Sequence, residues 1–179
     1  MRRSLDLDLF EAIRTRRSTR AFSREEVPET EVEKLLDAAR LAPSAGNIQP
    51  WEFVVVRKAE TKRSLAEAAL DQYFIAEAPV VIVVCADEDR SARGYGSRGV
   101  NLYCIQDTAA AIENILLAAC ALGLGACWVG AFRELEARRI LNVPLGVRPV
   151  AIIPVGRPAE RPRVRHERPL REMIHREAF

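Results

Sequence analysis

Three arginines lie close together near the N-terminus, with a serine between them. Arg16, Arg17 and Arg20 surround Ser18 in one short segment. Guanidinium groups present forked donors that make paired, charge-assisted hydrogen bonds with phosphate, and the Ser18 hydroxyl can add another donor. The same charges could instead form the solvated, positively charged end of a helix. The segment therefore indicates either an anion site or an exposed helix end.

A second candidate is the segment 43–50, which begins and ends with proline and contains a glycine. These residues favour turns and cannot continue a helix, so the segment is predicted to be a structured loop. Asn47 and Gln49 offer amide donors and acceptors that can read the edge of a heterocycle or a row of hydroxyls. The alternative for an asparagine in a turn is a hydrogen bond to its own local backbone.

Other kinds of site find no support in the sequence. It contains no defensible Ser-His-Asp or Cys-His arrangement, no G-x-x-x-x-G-K-[ST] loop and no G-x-G-x-x-G turn after a strand. The cysteines have no C-x-x-C spacing and the chain has only two histidines, so no metal-ligand cluster can be assembled. The residues concerned are Cys85, Cys104, Cys120, Cys127, His166 and His175. The remaining features could together hold an anionic, planar cofactor.

Composition places the chain among ordinary soluble domains. It has 179 residues, of which 49% are apolar and 29% charged, and its net charge of +2 gives no field to attract nucleic acid or an anionic membrane. Acidic residues interrupt the N-terminus, which therefore cannot be a signal peptide. The longest apolar stretches, 79–86 and 109–121, fall short of the ~18 residues that span a bilayer. We expect a cytoplasmic protein with reduced thiols.

The elements that must position these residues alternate between helix and strand in a single domain, 1–179. Helices outnumber strands, so the class is α/β or α+β. The segment 87–103 lacks clear periodicity and is interpreted as an excursion over the site, and about 157–179 as an extended C-terminal arm. Periodicity predicts helices at 7–15, 28–42, 61–70, 106–122 and 134–141, and strands at 51–57, 79–86, 126–129 and 147–155.

The helix predicted at 106–122 has almost no polar face and must be buried nearly all round. A small domain has little material with which to cover such a helix. Two copies packed about a two-fold axis would bury what one subunit cannot, because the alanines let the backbones approach closely. This pattern favours a homodimer. The competing interpretation is a monomer whose own sheet and helices cover the helix fully.

Three stretches, taken in this order, resemble the signature segments of the nitroreductase-like FMN-dependent oxidoreductases. They are R-R-S-T-R-A-F at 16–22, A-P-S-A-G-N-I-Q-P-W at 42–51 and G-L-G-A-C-W-V-G at 123–130, and the resemblance runs from about Phe10 to Pro169. It implies an α+β, nitroreductase-like fold with a central mixed, mainly antiparallel sheet flanked by helices. It also implies an interlocked homodimer with FMN in each of two clefts at the subunit interface.

The resemblance implies site residues by position. Those that would hold FMN are Arg16, Arg17, Ser18 and Arg20 at its phosphate and ring edge; Pro43, Ser44, Ala45 and Asn47 from the other subunit, together with Gln49; Gly130 and Ala131 near the flavin N5; and Arg168, with Arg165 as its companion, in the C-terminal arm.

The implied activity is transfer of hydride from NADH or NADPH, through the flavin N5, to a small acceptor such as a quinone or nitroaromatic. No side chain need act as an acid or base. Tyr95 and Tyr103 could stack over the substrate, the alternative being ordinary packing or exposure. Reductive dehalogenation, flavin fragmentation or a flavin-binding module without turnover are the alternatives on the same fold. An arginine-rich nucleic-acid binder has poor support, because acidic residues are spread among the arginines.

Overall fold

The computed structural model describes residues 7–160 and 166–179, and within these ranges the chain has an α+β fold. Most elements begin and end close to their predicted positions. The helices are α1 (Leu9–Thr15), α2 (Glu29–Arg40), α3 (Ala59–Ala68), α4 (Phe74–Glu77), α5 (Glu88–Arg98), α6 (Cys104–Ala121) and α7 (Glu134–Leu141), and the strands are β1 (Trp51–Val56), β2 (Val80–Asp87), β3 (Gly125–Ala126) and β4 (Val147–Gly156).

The strands form one sheet in the order β1-β2-β4-β3, and each neighbouring pair is antiparallel. Strand β2 lies between β1 and β4 and is buried from Val80 to Ala86, because helices cover both of its faces. An isolated parallel bridge joins Ser18 to Ala126 beside β3. The sheet is therefore mainly antiparallel, as the resemblance implied.

The sheet separates two apolar cores. Helices α2 and α6 pack over one face, where Ile82 and Val84 contribute to the core. Helices α3, α4 and α7 pack over the other face, where Val81 and Val83 point. Successive side chains of a strand point to opposite faces of a sheet, so a strand between two cores must be apolar at every position. This explains the unbroken apolar run in β2.

Helix α6 is buried on one side only within the single chain. Ile112, Ile115 and Ala119 are fully buried against the sheet and α2, whereas Leu117 and Ala118 on another side are half-exposed. The competing interpretation, in which a single chain covers this helix fully, is therefore wrong, and burial by a partner subunit stays a prediction. The sheet and the helices α1 and α2 cover only part of the surface of α6.

The segment 87–103 is helical, which corrects the prediction of an irregular excursion. Asp87 caps α5 by accepting a hydrogen bond from the Arg90 N–H at 2.8 Å, and a π-helical turn, Gly99–Tyr103, joins α5 to α6. Only Ser91 of α5 is buried, so the helix carries little apolar periodicity to reveal it. Gly96 breaks the helical geometry with a positive φ of 54°.

Together with the turn between them, α5 and α6 make residues 88–121 long and apolar enough to cross a membrane by length and composition alone. Core helices pass the same test, and α6 packs against α2 and the sheet in this chain.

Candidate functional site

The arginine-bearing segment runs beside β3. The Thr19 N–H donates to the Ala126 carbonyl at 3.0 Å, and Thr19 is buried. A side chain at Gly125 would lie 2.5 Å from the Thr19 hydroxyl oxygen, so only glycine allows the segment to pass this close. The segment is thus fixed to the sheet by its backbone, and the longer side chains around Thr19 are left at the surface.

The three arginines of this segment have different partners. Arg16 lies 3.7 Å from a carboxylate oxygen of Glu113 on α6, and Arg17 donates to the carbonyls of Arg14 and Arg16, each at 2.7 Å. The Arg20 guanidinium is exposed above the ring of Phe74, 5.8 Å from its centroid. Among the described residues Arg20 has no acidic partner. It is the arginine most available to an anion.

The loop that joins α2 to β1 is held by its own polar side chains. The Ser44 hydroxyl accepts a hydrogen bond from the Gln49 N–H at 2.9 Å, and the Gln49 amide donates to the Asn47 side-chain oxygen at 3.0 Å. Gly46, Asn47 and Gln49 all have positive φ, between 53° and 56°. Local bonding therefore uses the side-chain oxygen of Asn47, whereas its side-chain NH₂ makes no hydrogen bond among the described residues and can donate to a ligand.

Two residues that sequence reasoning missed brace this loop. Asp107 of α6 accepts a hydrogen bond from the Ala45 N–H at 3.1 Å, and Arg90 of α5 donates to the Ile48 carbonyl at 2.6 Å. Burial raises the pKa of the Asp107 carboxyl. Its second oxygen is buried without a hydrogen-bond partner in the described part of the chain. The sequence feature that could have revealed Asp107 is its position as an acidic residue in a mostly apolar helix.

Tyr95 and Tyr103 pack next to the same loop. Their rings meet edge to face with centroids 5.1 Å apart, and Arg98 donates to the Tyr103 hydroxyl at 2.8 Å. The Tyr95 hydroxyl lies against Gly46, where an added Cβ would be 2.6 Å away. These contacts give both rings a packing role. A role over a substrate stays a prediction.

A pair of backbone donors lies at the other end of the candidate site. Val129 and Ile152 exchange hydrogen bonds at 3.0 Å, which fixes the chain just before Gly130 and Ala131. Gln72 donates to the Ala131 carbonyl at 3.1 Å. Gly130 and Ala131 are exposed, a Cβ at Gly130 would meet no atom, and neither N–H has an acceptor among residues 7–160 and 166–179. Two exposed residues therefore carry backbone donors that no described acceptor uses.

The other predicted residues lie apart or outside the described structure. Pro43 is exposed at the start of the loop. Arg168 is exposed in the C-terminal arm, where it donates to the Glu172 carbonyl at 3.2 Å. Arg165 falls outside the described residues. Among the described residues, Arg168 has no hydrogen bond or ion pair with the Arg16–Arg20 segment.

The two predicted segments line different cavities in the single chain. Arg16 and Arg17 border a cavity of about 190 Å³, and Asn47 borders an open concavity of about 490 Å³ beside α5. The first is smaller than the roughly 300–1,000 Å³ of typical ligand pockets. No group of three or more potential metal-ligating side chains occurs in the described ranges. The single chain thus keeps the two predicted segments at separate cavities.

Comparison with known proteins gives the class of protein to which this chain belongs. Residues 13–157 match the model of the Nitroreductase family. The “Putative NADH dehydrogenase/NAD(P)H nitroreductase” of Methanothermobacter thermautotrophicus is 40% identical over 163 residues, covering 89% of this chain and 82% of the relative. The FMN reductase [NAD(P)H] of Bacillus subtilis is 27% identical over 186 residues, covering 96% and 74%. The solved structure of B. megaterium NfrA2 has a TM-score of 0.89 at 27% identity, covering 96% and 74%.

Fold and relatives together define an oxidoreductase. The chain belongs to the nitroreductase family, which confirms the resemblance of its three signature segments and the predicted fold class.

Proposed function

We propose that the chain is an FMN-dependent NAD(P)H oxidoreductase that passes hydride to a small acceptor such as a quinone or nitroaromatic. The observation that carries this proposal is the pair of N–H donors at the exposed residues Gly130 and Ala131, which have no acceptor in the described chain. Donors of this kind suit the edge of a flat heterocycle. The family membership and the name of the FMN reductase relative support the same cofactor.

The residues present fit FMN. The free guanidinium of Arg20 and the remaining donors of Arg16 and Arg17 suit its phosphate, and the Ser44–Gln49 loop of the partner subunit supplies amide groups. When bound, FMN supplies the hydride chemistry between NAD(P)H and the acceptor. The protein orients the ring and places donors at its edge.

Proton transfer by a protein side chain is not required in this account. The only two histidines of the chain, His166 and His175, are exposed in the C-terminal arm. Nothing in the described geometry brings either ring to Gly130 or Ala131. The acceptor's protons therefore come from solvent in this proposal.

A homodimer completes the site. Leu9 and Phe10 of α1 are 58% and 75% exposed, and Leu9 lines a groove of about 330 Å³ together with Leu117 and Ala118 of α6. An exposed apolar surface of this kind favours association. We expect an interface above the ~2,000 Å² that marks obligate assemblies. A stable, folded monomer at micromolar concentration in sedimentation would contradict this.

A cytoplasmic location accords with the cysteines. Cys85, Cys104, Cys120 and Cys127 are all described, and no disulfide joins them. Disulfides persist mainly in oxidising compartments.

The test of the function is anaerobic. Protein reconstituted with FMN is mixed with NADH or NADPH, and the visible flavin absorbance is followed before quinones, nitroaromatics, free flavins or oxygen are added. We expect bleaching by at least one nicotinamide and rapid recovery with a quinone or nitroaromatic. Bound FMN that neither nicotinamide bleaches would contradict turnover and favour a flavin-binding module.

A further inference from the structure

Helix α5 and the loop 44–49 border an open concavity of about 490 Å³, to which the proposed function assigns no role. Arg90 and Arg93 line one side, and Gly46, Asn47 and Ile48 line the other. Arg90 is committed to the Ile48 carbonyl through its Nε. Arg93 is exposed and has no ion pair or hydrogen bond among the described residues. The concavity therefore contains an unused guanidinium beside the loop.

Nearby acids do not neutralise Arg93. No Asp or Glu occurs between residues 90 and 106. Asp87 is occupied as the helix cap, and the Asp89 carboxylate, one helical turn before Arg93, lies against Gly146 and forms no ion pair with Arg93 among the described residues. Arg98 adds a further positive charge on the same helix, over the ring of Tyr103. The local field in the concavity favours an anion.

We propose that this concavity is a subsite for a phosphate or carboxylate group on the molecule that exchanges electrons at the flavin. The inference rests on the proposed function, because Asn47 belongs both to this wall and to the proposed flavin loop. Arg93 binds the anionic group, and Arg90 holds the loop while adding positive charge. The group can come from two sources: the 2′-phosphate of NADPH or an anionic acceptor.

The expected preference is modest because the concavity is open to water. Surface ion pairs contribute little, whereas a hydrogen bond to a charged group is stronger. We expect the anionic member of a matched ligand pair to bind about tenfold more tightly than the neutral member, which corresponds to about 1.4 kcal/mol. The preference should shrink as ionic strength rises, since exposed charges are screened.

The experiment uses two matched pairs of probes on the oxidised, FMN-loaded protein. Calorimetric titration gives the Kd of NADP⁺ against NAD⁺ and of para-nitrobenzoate against para-nitrobenzamide. The variants are Arg93→Ala and Arg93→Lys. Arg63→Ala is the control, because Arg63 is an exposed arginine on α3 that does not border the concavity. Arg93→Ala should abolish the preference within one pair, Arg93→Lys should keep part of it, and Arg63→Ala should keep all of it.

The pair that shows the effect identifies the source of the anion. Failure of both pairs to show an Arg93-dependent preference overturns the subsite, even when NADH bleaches the flavin normally. Failure of NADH and NADPH to bleach the flavin in the wild type overturns the proposed function instead. The two failures are therefore distinguished by the calorimetry and the absorbance measurement.

Discussion

Replacing Asp107 with alanine tests how the loop 44–49 is held. The change removes the acceptor of the Ala45 N–H and leaves that partly buried donor unpaired. An unpaired donor of this kind costs about 1–3 kcal/mol. If the loop must be in place for FMN to bind, the same free energy weakens FMN binding by about fivefold to 150-fold.

The effect on global stability should be smaller than the effect on FMN. Asp107 is itself destabilising when ionised, because its second oxygen is buried without a partner in the described chain and burial raises the carboxyl pKa. Removing that carboxyl offsets part of the cost of the unpaired N–H. Asp37→Ala is the control, since Asp37 is an exposed acid on α2 paired with Arg40, and its loss should leave FMN affinity unchanged.

The variant Asp107→Asn separates the hydrogen bond from the charge. Asparagine keeps an acceptor for Ala45 but cannot ionise. Burial raises the Asp107 pKa in the folded protein above its value in the unfolded chain. Protonated Asp107 therefore contributes fully to the free energy of unfolding below the unfolded pKa. That contribution is lost as pH rises through the folded pKa. Wild-type stability should therefore fall relative to Asp107→Asn over that window.

The assays are fluorescence titration of apoprotein with FMN and urea unfolding across the acid range. If the Asp107→Ala variant bound FMN as tightly as the wild type does, Asp107 would not be needed to hold the loop. A stability difference between wild type and Asp107→Asn that does not vary with pH would refute the raised pKa.

Three further predictions follow from single contacts. Arg20→Ala should weaken FMN binding by about tenfold to 150-fold, the loss of one hydrogen bond to a charged group, and should change riboflavin binding much less. Equal losses for both flavins in parallel titrations would contradict a phosphate contact. Burial raises the pKa of Cys85 to about 12, so iodoacetamide should label half-buried Cys120 first, as read by mass spectrometry. Equal labelling in the folded protein would be inconsistent with this. Gly46→Ala should lower Tm, because φ is +56° and the new Cβ would meet the Tyr95 hydroxyl at 2.6 Å. Adding Tyr95→Phe should recover part of that loss, and no recovery would show that the contact is not limiting.

Local sequence patterns predicted the fold well where one face of an element is buried. Strand β2 and helix α7 were found because burial imposes an apolar run on the first and helical periodicity on the second. Helix α5 was missed because nearly all of it is exposed and glycines interrupt it. How much of α6 one chain covers could not be predicted, because the apolar composition of a helix does not state how much surface its neighbours bury.

The candidate site was predictable only in its contiguous parts. Sequence order placed the arginines and the loop 43–50, but Arg16 proved to have an acidic partner in Glu113 that spacing did not suggest. Asp107 and Arg90 reach the loop across 62 and 42 residues of sequence. Contacts of that range depend on the packing of α5 and α6, which local patterns do not encode.

The central claim is that each FMN site combines the arginine segment of one subunit with the loop of its partner. The most direct measurement uses hybrid dimers, purified through two different tags, of an Arg16→Ala/Arg20→Ala chain and a Ser44→Ala/Asn47→Ala chain. Each variant alone should lose FMN. The hybrid should regain one intact site per dimer, because the unaltered arginines of one chain meet the unaltered loop of the other. A hybrid that binds no more FMN than either parent would contradict the shared site and place both segments around the cofactor of a single chain.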